Sequence, residues 1–277
     1  MKYIFTFFLL LTSAFSINYE ISNTKIANGR TALISFEKNI NIVYESIDLL
    51  GSKFLVFDNK VLIPISYYEK PKKLKAVLHY RDYGKNKTFV ISLEVVDGKY
   101  KQEKISVQRS KVKLSKKDKR RAAVEYKEAT DIYNGITPVS YVEKKYIMPL
   151  DSKITSAFGN ARVYNGSLNG YHSGTDFRAK VGTPLISTND GVVVLVKDRF
   201  YSGGSVIIDH GQGIYLCYYH MSRFDVKVGD RVKQGDIIGL SGVSGRVTGP
   251  HLHFSARVGG IQVDPLSLIE LLNKNIQ

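Results

Sequence analysis

The stretch "GVVVLVKDRFYSGGSVIIDHGQGIYLCYYH", Gly191 to His220, decides how the C-terminal half of the chain folds. It contains three apolar runs, "GVVVLVKD", "SVIIDHGQG" and "IYLCYYH", separated by glycine-bearing segments. Branched side chains favour a pleated surface and glycines supply the turns, so these runs read as strands of an all-β unit. On either side, "VGTPLISTNDGVVV" (Val181 to Val194) echoes "VGDRVKQGDIIGLSG" (Val228 to Gly242). Each passes from a Val-Gly turn through a short apolar strand to a second glycine, which predicts a barrel-like core of two similar halves. Within the stretch, His210 falls in the turn marked by Gly211 and Gly213, and Cys217 reads as a small buried strand residue rather than a nucleophile. His220 ends its strand, where alternation puts it on the face of Tyr218 and opposite Tyr219.

Moving towards the N-terminus, the character changes at "RSKVKLSKKDKRRAAVEYKEATDIYNG". Lysine and arginine dominate Lys111 to Arg121, and good helix formers follow from Ala122 to Tyr133, which predicts a basic, partly helical linker over residues 109–145. Before it, "TALISFEK", "INIVYES", "KFLVFDN", "VLIPISYYE", "LKAVLHYRD", "TFVISLEVV" and "EKISVQ" are short strands punctuated by turn residues. That spacing, with Asp97-Gly98 as a hairpin turn, predicts an N-terminal β-sandwich-like domain over residues 17–108. His79 has no second ligand-type residue at a useful spacing and reads as an ordinary strand histidine. The opening "MKYIFTFFLLLTSAFS" has an early lysine, an apolar core and small residues at 14 and 16, the pattern of a secretory signal over residues 1–16. It falls short of the ~20 apolar residues that cross a bilayer.

The whole chain carries 40 Lys and Arg against 25 Asp and Glu, a net charge of +15, which favours anionic surroundings. Export and the lack of an aromatic-basic recognition motif point away from nucleic acid and towards anionic wall polymer or a membrane surface as partners of the basic linker. With a single cysteine there is no internal disulfide framework. The fold class is therefore mainly β, in two units, with 146–277 as the second.

Five of the six histidines lie in that second unit. "YHSGTDF" sets His172 and Asp176 four apart, and "GPHLHFS" sets His251 and His253 two apart. On extended strands both spacings bring side chains to one face, so each pair can converge on one point. Imidazole and carboxylate without thiolate suit zinc, and three protein ligands would leave a fourth position for water. Four candidates are present, and spacing alone does not say which stays off the metal. A further histidine, His220, can serve beside such a metal to move a proton or stabilise an oxyanion.

"HSGTD", "YYHM" and "GPHLHF", with "SAFGNAR" ahead and "VGDRVKQGDIIGLSG" between, resemble the lysostaphin-type (LytM-like) zinc metalloendopeptidases that cut peptidoglycan cross-bridges. The resemblance runs from about Pro149 to Pro265 and implies a C-terminal metallopeptidase domain. It implies that His172, Asp176 and His253 bind one zinc and that His220 and His251 act on substrate and water. "FGNAR" departs from the family's usual Phe-Gly-x-Arg by placing Arg162 one position later.

The expected function is hydrolysis of stem-peptide cross-links in peptidoglycan, probed against three rivals. A catalytically silent regulator on the same fold would have lost ligands, and none is missing. A biotinyl- or lipoyl-type carrier would leave the histidines unexplained. The other class of zinc D-Ala-D-Ala carboxypeptidases spaces its first His and Asp farther apart. Expected location is the periplasm or cell envelope. For the N-terminal domain two roles are expected with equal weight: a cover that restrains the enzyme, and a spacer or docking module.

Overall fold

The computed structural model describes residues 17–105, 114–164 and 168–276, so the expected signal segment at 1–16 and the start of the basic run, 111–113, lie outside the described residues. The N-terminal half is a sandwich of two sheets. Tyr19–Ile21, Thr31–Phe36 and Lys60–Pro64 form one. The other runs in the order Lys25–Ala27, Lys85–Val96, Lys72–Asp82, Ile42–Leu49, Ser52–Leu55. Strict alternation places Leu74, Ala76, Leu78 and Tyr80 inside with their neighbours turned outward. They meet Ile34, Ile47, Ile63 and Ile91 in one apolar core. His79 pairs across strands with Asp48, Nε2 to Oδ2 at 2.9 Å.

Asp97-Gly98 is not a hairpin turn. Tight hairpins of this half lie instead at Leu50-Gly51, Asp58-Asn59 and Tyr83-Gly84, each pair with both φ positive, the last (47° and 75°) between the two longest strands of the sandwich. At Gly98 the chain instead passes under Tyr100, whose ring leaves no room for a Cβ. The next strand, Gln102–Ile105, leaves the sandwich. It pairs in parallel with Ala161–Tyr164, which pairs in turn with Leu168–Tyr171. The last strand of the first unit thus belongs to a small sheet of the second.

The basic segment forms the helix Lys116–Tyr133, capped by Ser115, whose Oγ accepts from the Asp118 amide at 3.1 Å. This helix does not hang between units: Ala129 and Tyr133 pack on Leu195, Ile207, Tyr215 and Cys217. Among the described residues no helix is long and apolar enough to cross a membrane.

The C-terminal unit is a ten-stranded sheet. Its main path runs Ile154–Ser156, Thr175–Arg178, His251–Val258, Ile214–Phe224, Gly203–Asp209, Gly191–Arg199, Arg231–Val232. Pro184–Ile186 and Ile237–Ser241 branch from it as a pair, and Ile261–Val263 pairs with His251–Val258. The sequence echo has a structural counterpart, because each copy pairs with the other. Gly191-Val192 of the first lies on Arg231-Val232 of the second, and Pro184–Ile186 of the first on the second's Ile237 to Leu240. Their Val-Gly turns also match, with Gly182 and Gly229 at φ 87° and 93°. One face of the sheet carries Leu216, Tyr218, Leu252 and Phe254 in a core with the helix Pro265–Asn275, which starts at the cap Asp264. The other face carries Cys217 and Tyr215 beneath the basic helix, and further along it the histidines.

Candidate metal centre

Strand register brings the ligands together. Asp176 stands opposite His253 on neighbouring antiparallel strands, and Tyr219 stands opposite His253 on its other side. His172 follows directly after Leu168–Tyr171, held by its amide to the Asn160 carbonyl and its carbonyl to the Gly159 amide, both 2.8 Å. His172 Nε2 lies 2.9 Å from Asp176 Oδ1 and 3.0 Å from His253 Nδ1, and His253 Nδ1 lies 2.8 Å from Asp176 Oδ1. All three residues are buried.

The protonation pattern follows from the surroundings. His172 Nδ1 lies 2.8 Å from the Ala157 carbonyl, which can only accept, so this nitrogen carries the proton and Nε2 presents a lone pair. Asp176, once ionised, is an acceptor only. Burial opposes its ionisation, yet the two imidazoles outweigh burial and hold the carboxyl well below its ordinary range. Lone pairs converging in a buried place call for a positive charge among them. A proton can bridge only two of the atoms, whereas a divalent cation engages all three, and two nitrogens with one carboxylate oxygen is a donor set that suits zinc. His172, Asp176 and His253 are the group of described residues able to hold a metal ion.

Gly174 makes the approach possible. A Cβ there would lie 2.4 Å from the Phe254 carbonyl oxygen and 2.6 Å from His253 Nε2, so the glycine between His172 and Asp176 is a steric requirement of the ligand on the next strand.

His220 shows where alternation fails. Between Tyr218 and Met221 the strand carries an extra residue against its partner Gly203–Asp209, a β-bulge, and His220 sits in it at φ 63°. The bulge turns its ring to the metal face, contrary to the face expected from alternation. Its centroid lies 4.8 Å from that of His251 and 5.9 Å from that of His253. A non-glycine residue at positive φ is strained, and here the strain accompanies a bulge that re-aims an imidazole towards the candidate triad. His220 Nδ1 donates to the Ser244 carbonyl at 2.9 Å, leaving Nε2 as acceptor. Burial, with the neighbouring His253 and His251, pushes its pKa down to about 3, so it is neutral at physiological pH.

His251 donates from Nδ1 to the Gly249 carbonyl at 2.8 Å, and its Nε2 lies 3.6 Å from Asp176 Oδ1. It is half-buried at the margin of the triad. The five expected site residues therefore share one place. His210 is elsewhere, fully buried at the turn with Nδ1 on the Asp190 carbonyl, and burial drives its pKa down to about 4. Cys217 is buried beneath the basic helix, and burial raises its thiol pKa. The Arg162 side chain lies outside the described residues. Sequence reasoning missed Tyr219, whose ring stacks on His253 with centroids 5.7 Å apart and 16° between planes. It also missed the orienting carbonyls of Ala157 and Ser244, for which no side-chain pattern exists.

Residues 170–265 match the family model described as Peptidase family M23. Among curated proteins, the peptidoglycan DD-endopeptidase ShyA of Vibrio cholerae is 43% identical over 121 residues, 43% of this chain and 28% of that protein. The glycyl-glycine endopeptidase ALE-1 of Staphylococcus capitis is 48% identical over 87 residues, 31% of this chain and 24% of that protein. The chain thus spans about a quarter of the length of these curated relatives. A crystal structure of a putative peptidase M23 from Pseudomonas aeruginosa is similar over 88% of this chain and 94% of that one, at 26% identity and a TM-score of 0.67. That last likeness extends through the N-terminal half.

Proposed function

Since the C-terminal half of this chain carries a peptidase family M23 domain, we propose that the protein is a zinc endopeptidase that hydrolyses peptide cross-links of bacterial peptidoglycan, cutting the D,D-bond. The observation that carries this reading is the convergence of three buried ligand atoms, each within 3.0 Å of the others, with two neutral-capable imidazoles alongside. His172, Asp176 and His253 would hold one zinc ion, which supplies a Lewis acid for the scissile carbonyl and lowers the pKa of a bound water towards ~7.

The remaining chemistry belongs to the chain. His220 and His251 each have Nδ1 committed to a backbone carbonyl, so each offers an Nε2 lone pair that takes a proton from water. Once protonated, either Nε2 becomes a donor, to a developing oxyanion or to the leaving amine. Burial of His220 disfavours its cation, so a proton it takes up is readily passed on. A silent binding protein on this fold has no observation in its favour, because both the ligand set and the proton-handling pair are intact.

The location that fits this substrate is the periplasm or cell envelope, and the mature chain is expected to begin after Ser16. The cations Lys116, Lys117 and Arg120 are exposed, and their place in the first turns of a helix opposes the helix dipole. Anionic wall polymer or lipid headgroups would repay that cost. Sedimentation with sacculi and with phosphatidylglycerol vesicles, for wild type and Lys116→Glu/Lys117→Glu, tests this contact; salt-independent or unchanged sedimentation would remove it.

Digestion of murein followed by mass spectrometry tests the main proposal. Expected products are monomers from D-alanyl-diaminopimelate dimers, lost on chelation and restored by zinc. Release from oligoglycine bridges alone would move the substrate, and no product from either at full zinc loading would overturn the enzyme reading.

A further inference from the structure

Two tyrosines outside the family-matched segment each hold a second tyrosine that stacks on, or immediately precedes, a histidine that the proposed function assigns to zinc. The first path runs through the basic helix. Tyr133, in its last turn, is buried, and its hydroxyl lies 2.9 Å from the Tyr219 hydroxyl and 3.6 Å from Cys217 Sγ. Tyr219 in turn lays its ring on that of His253. Arg257 covers the other partner, its guanidinium carbon 4.4 Å from the Tyr133 ring centroid, and Tyr215 meets the same ring edge-on at 5.8 Å. The Tyr133 hydroxyl is therefore fixed from several sides, and it fixes Tyr219.

The second path runs through the sandwich. Tyr67 stacks on Tyr171, the residue before His172, with centroids 3.9 Å apart and planes within 6°. Tyr68 meets Tyr171 edge-on at 5.3 Å, and Phe158 at 5.7 Å. Tyr100 and Phe158 complete the cluster, and two glycines leave room for it. A Cβ on Gly29 would lie 2.6 Å from the Phe158 ring and one on Gly159 2.1 Å from the Tyr100 ring. The backbone follows the same route, since the Ala161 amide donates to the Lys101 carbonyl at 2.7 Å and the strand Gln102–Ile105 extends the hairpin that ends at His172.

We infer that the basic helix and the sandwich are working parts of the metal centre: Tyr133, through Tyr219, positions the His253 ring, and Tyr67, through Tyr171, positions the His172 segment. Neither tyrosine touches the ligand atoms. Each removes freedom from a ligand that would otherwise have to be ordered when the ion binds, as outer contacts of metal ligands commonly do. The consequence is opposite in sign to a restraining cover: loosening either element weakens the site.

The inference rests on the zinc reading of His172, Asp176 and His253, so its first readout is zinc retention against a chelator on the full mature chain, with no substrate present. Tyr67 acts by its ring, so Tyr67→Ala is expected to hold zinc about tenfold or more weakly while Tyr67→Phe holds it as wild type does. Tyr133 acts by its hydroxyl, so Tyr133→Phe, a change that leaves the packing volume intact, is expected to weaken zinc by a similar factor. With murein at equal zinc loading, the loss should fall on kcat and leave KM unchanged. Melting of the metal-free proteins checks that each variant folds, and Tyr133→Phe remains decisive if Tyr67→Ala does not. Folded variants that retain zinc like wild type would overturn the inference, as would faster hydrolysis by Tyr67→Ala. A wild type that binds zinc without cutting murein would remove the proposed activity and leave the chelator readout to judge this one.

Discussion

Asp176 and His253 face each other across one antiparallel strand pair, and the carboxylate oxygen of the first is 2.8 Å from Nδ1 of the second. Backbone register, rather than loop conformation, thus sets this ligand distance, which is why a two-residue motif spacing carries so much geometric content.

Asp176 is the only anionic member of the triad. Asp176→Ala should reduce zinc from one per chain to near none and abolish murein hydrolysis, read by metal content after gel filtration. Stoichiometric zinc with normal turnover in this variant would refute the ligand assignment.

His220 and His251 lie beside the triad and not within its closest contacts. His220→Ala and His251→Ala should each keep zinc and lose ~10²- to 10⁴-fold in kcat. If His251→Ala strips the metal while His253→Ala spares it, the two histidines have exchanged roles.

Gly174→Ala forces a methyl against the Phe254 carbonyl and the His253 ring. It is expected to cost about 1–3 kcal/mol of stability and to weaken zinc binding at the same time. Gly182→Ala, where φ is 87° and nothing lies within 4 Å of the new Cβ, carries only backbone strain, about 1–2 kcal/mol. Thermal melts with and without zinc separate the two, since only the first should alter the zinc-dependent increment.

His210 gives the fold a pH dependence of its own. Its folded pKa, about 4, lies below the ordinary 6.5, so between these values the unfolded chain binds a proton that the folded one does not. Stability from this residue is complete above about pH 6.5 and declines as pH falls towards about 4, by on the order of 3 kcal/mol. Denaturant melts of the metal-free protein across this range, compared with His210→Asn, should show a flatter profile for the variant. Parallel profiles would count against burial of a neutral imidazole.

The residues that alternate were legible. His251 and His253 share a face because they are two apart on a regular strand, whereas His172 and Asp176 meet for another reason: His172 follows one strand and Asp176 lies on the next, with 172–174 between them in no strand. Which of the four stays off the metal was a matter of resemblance. Alternation puts His220 on the wrong face because a bulge is a property of two strands, and one strand's pattern does not contain it. Asp97-Gly98 has the composition of a hairpin turn, but the strand beyond it finds its partner some sixty residues later, at Ala161–Tyr164. The contacts of Tyr67 and Tyr133 share that origin. Aromatic residues are ordinary core material by sequence, and only the fold shows what lies on the far side of each ring.

The strand His251–Val258 sits between Thr175–Arg178 and Ile214–Phe224 in the sheet. It is also almost the last strand to be synthesised. Without it the sheet order breaks into two unjoined parts and the third candidate ligand is missing, so closing the sheet and completing the triad need the same strand. A chain cut short of His251 would therefore lack at once the strand that joins the two parts of the sheet and one member of the candidate triad.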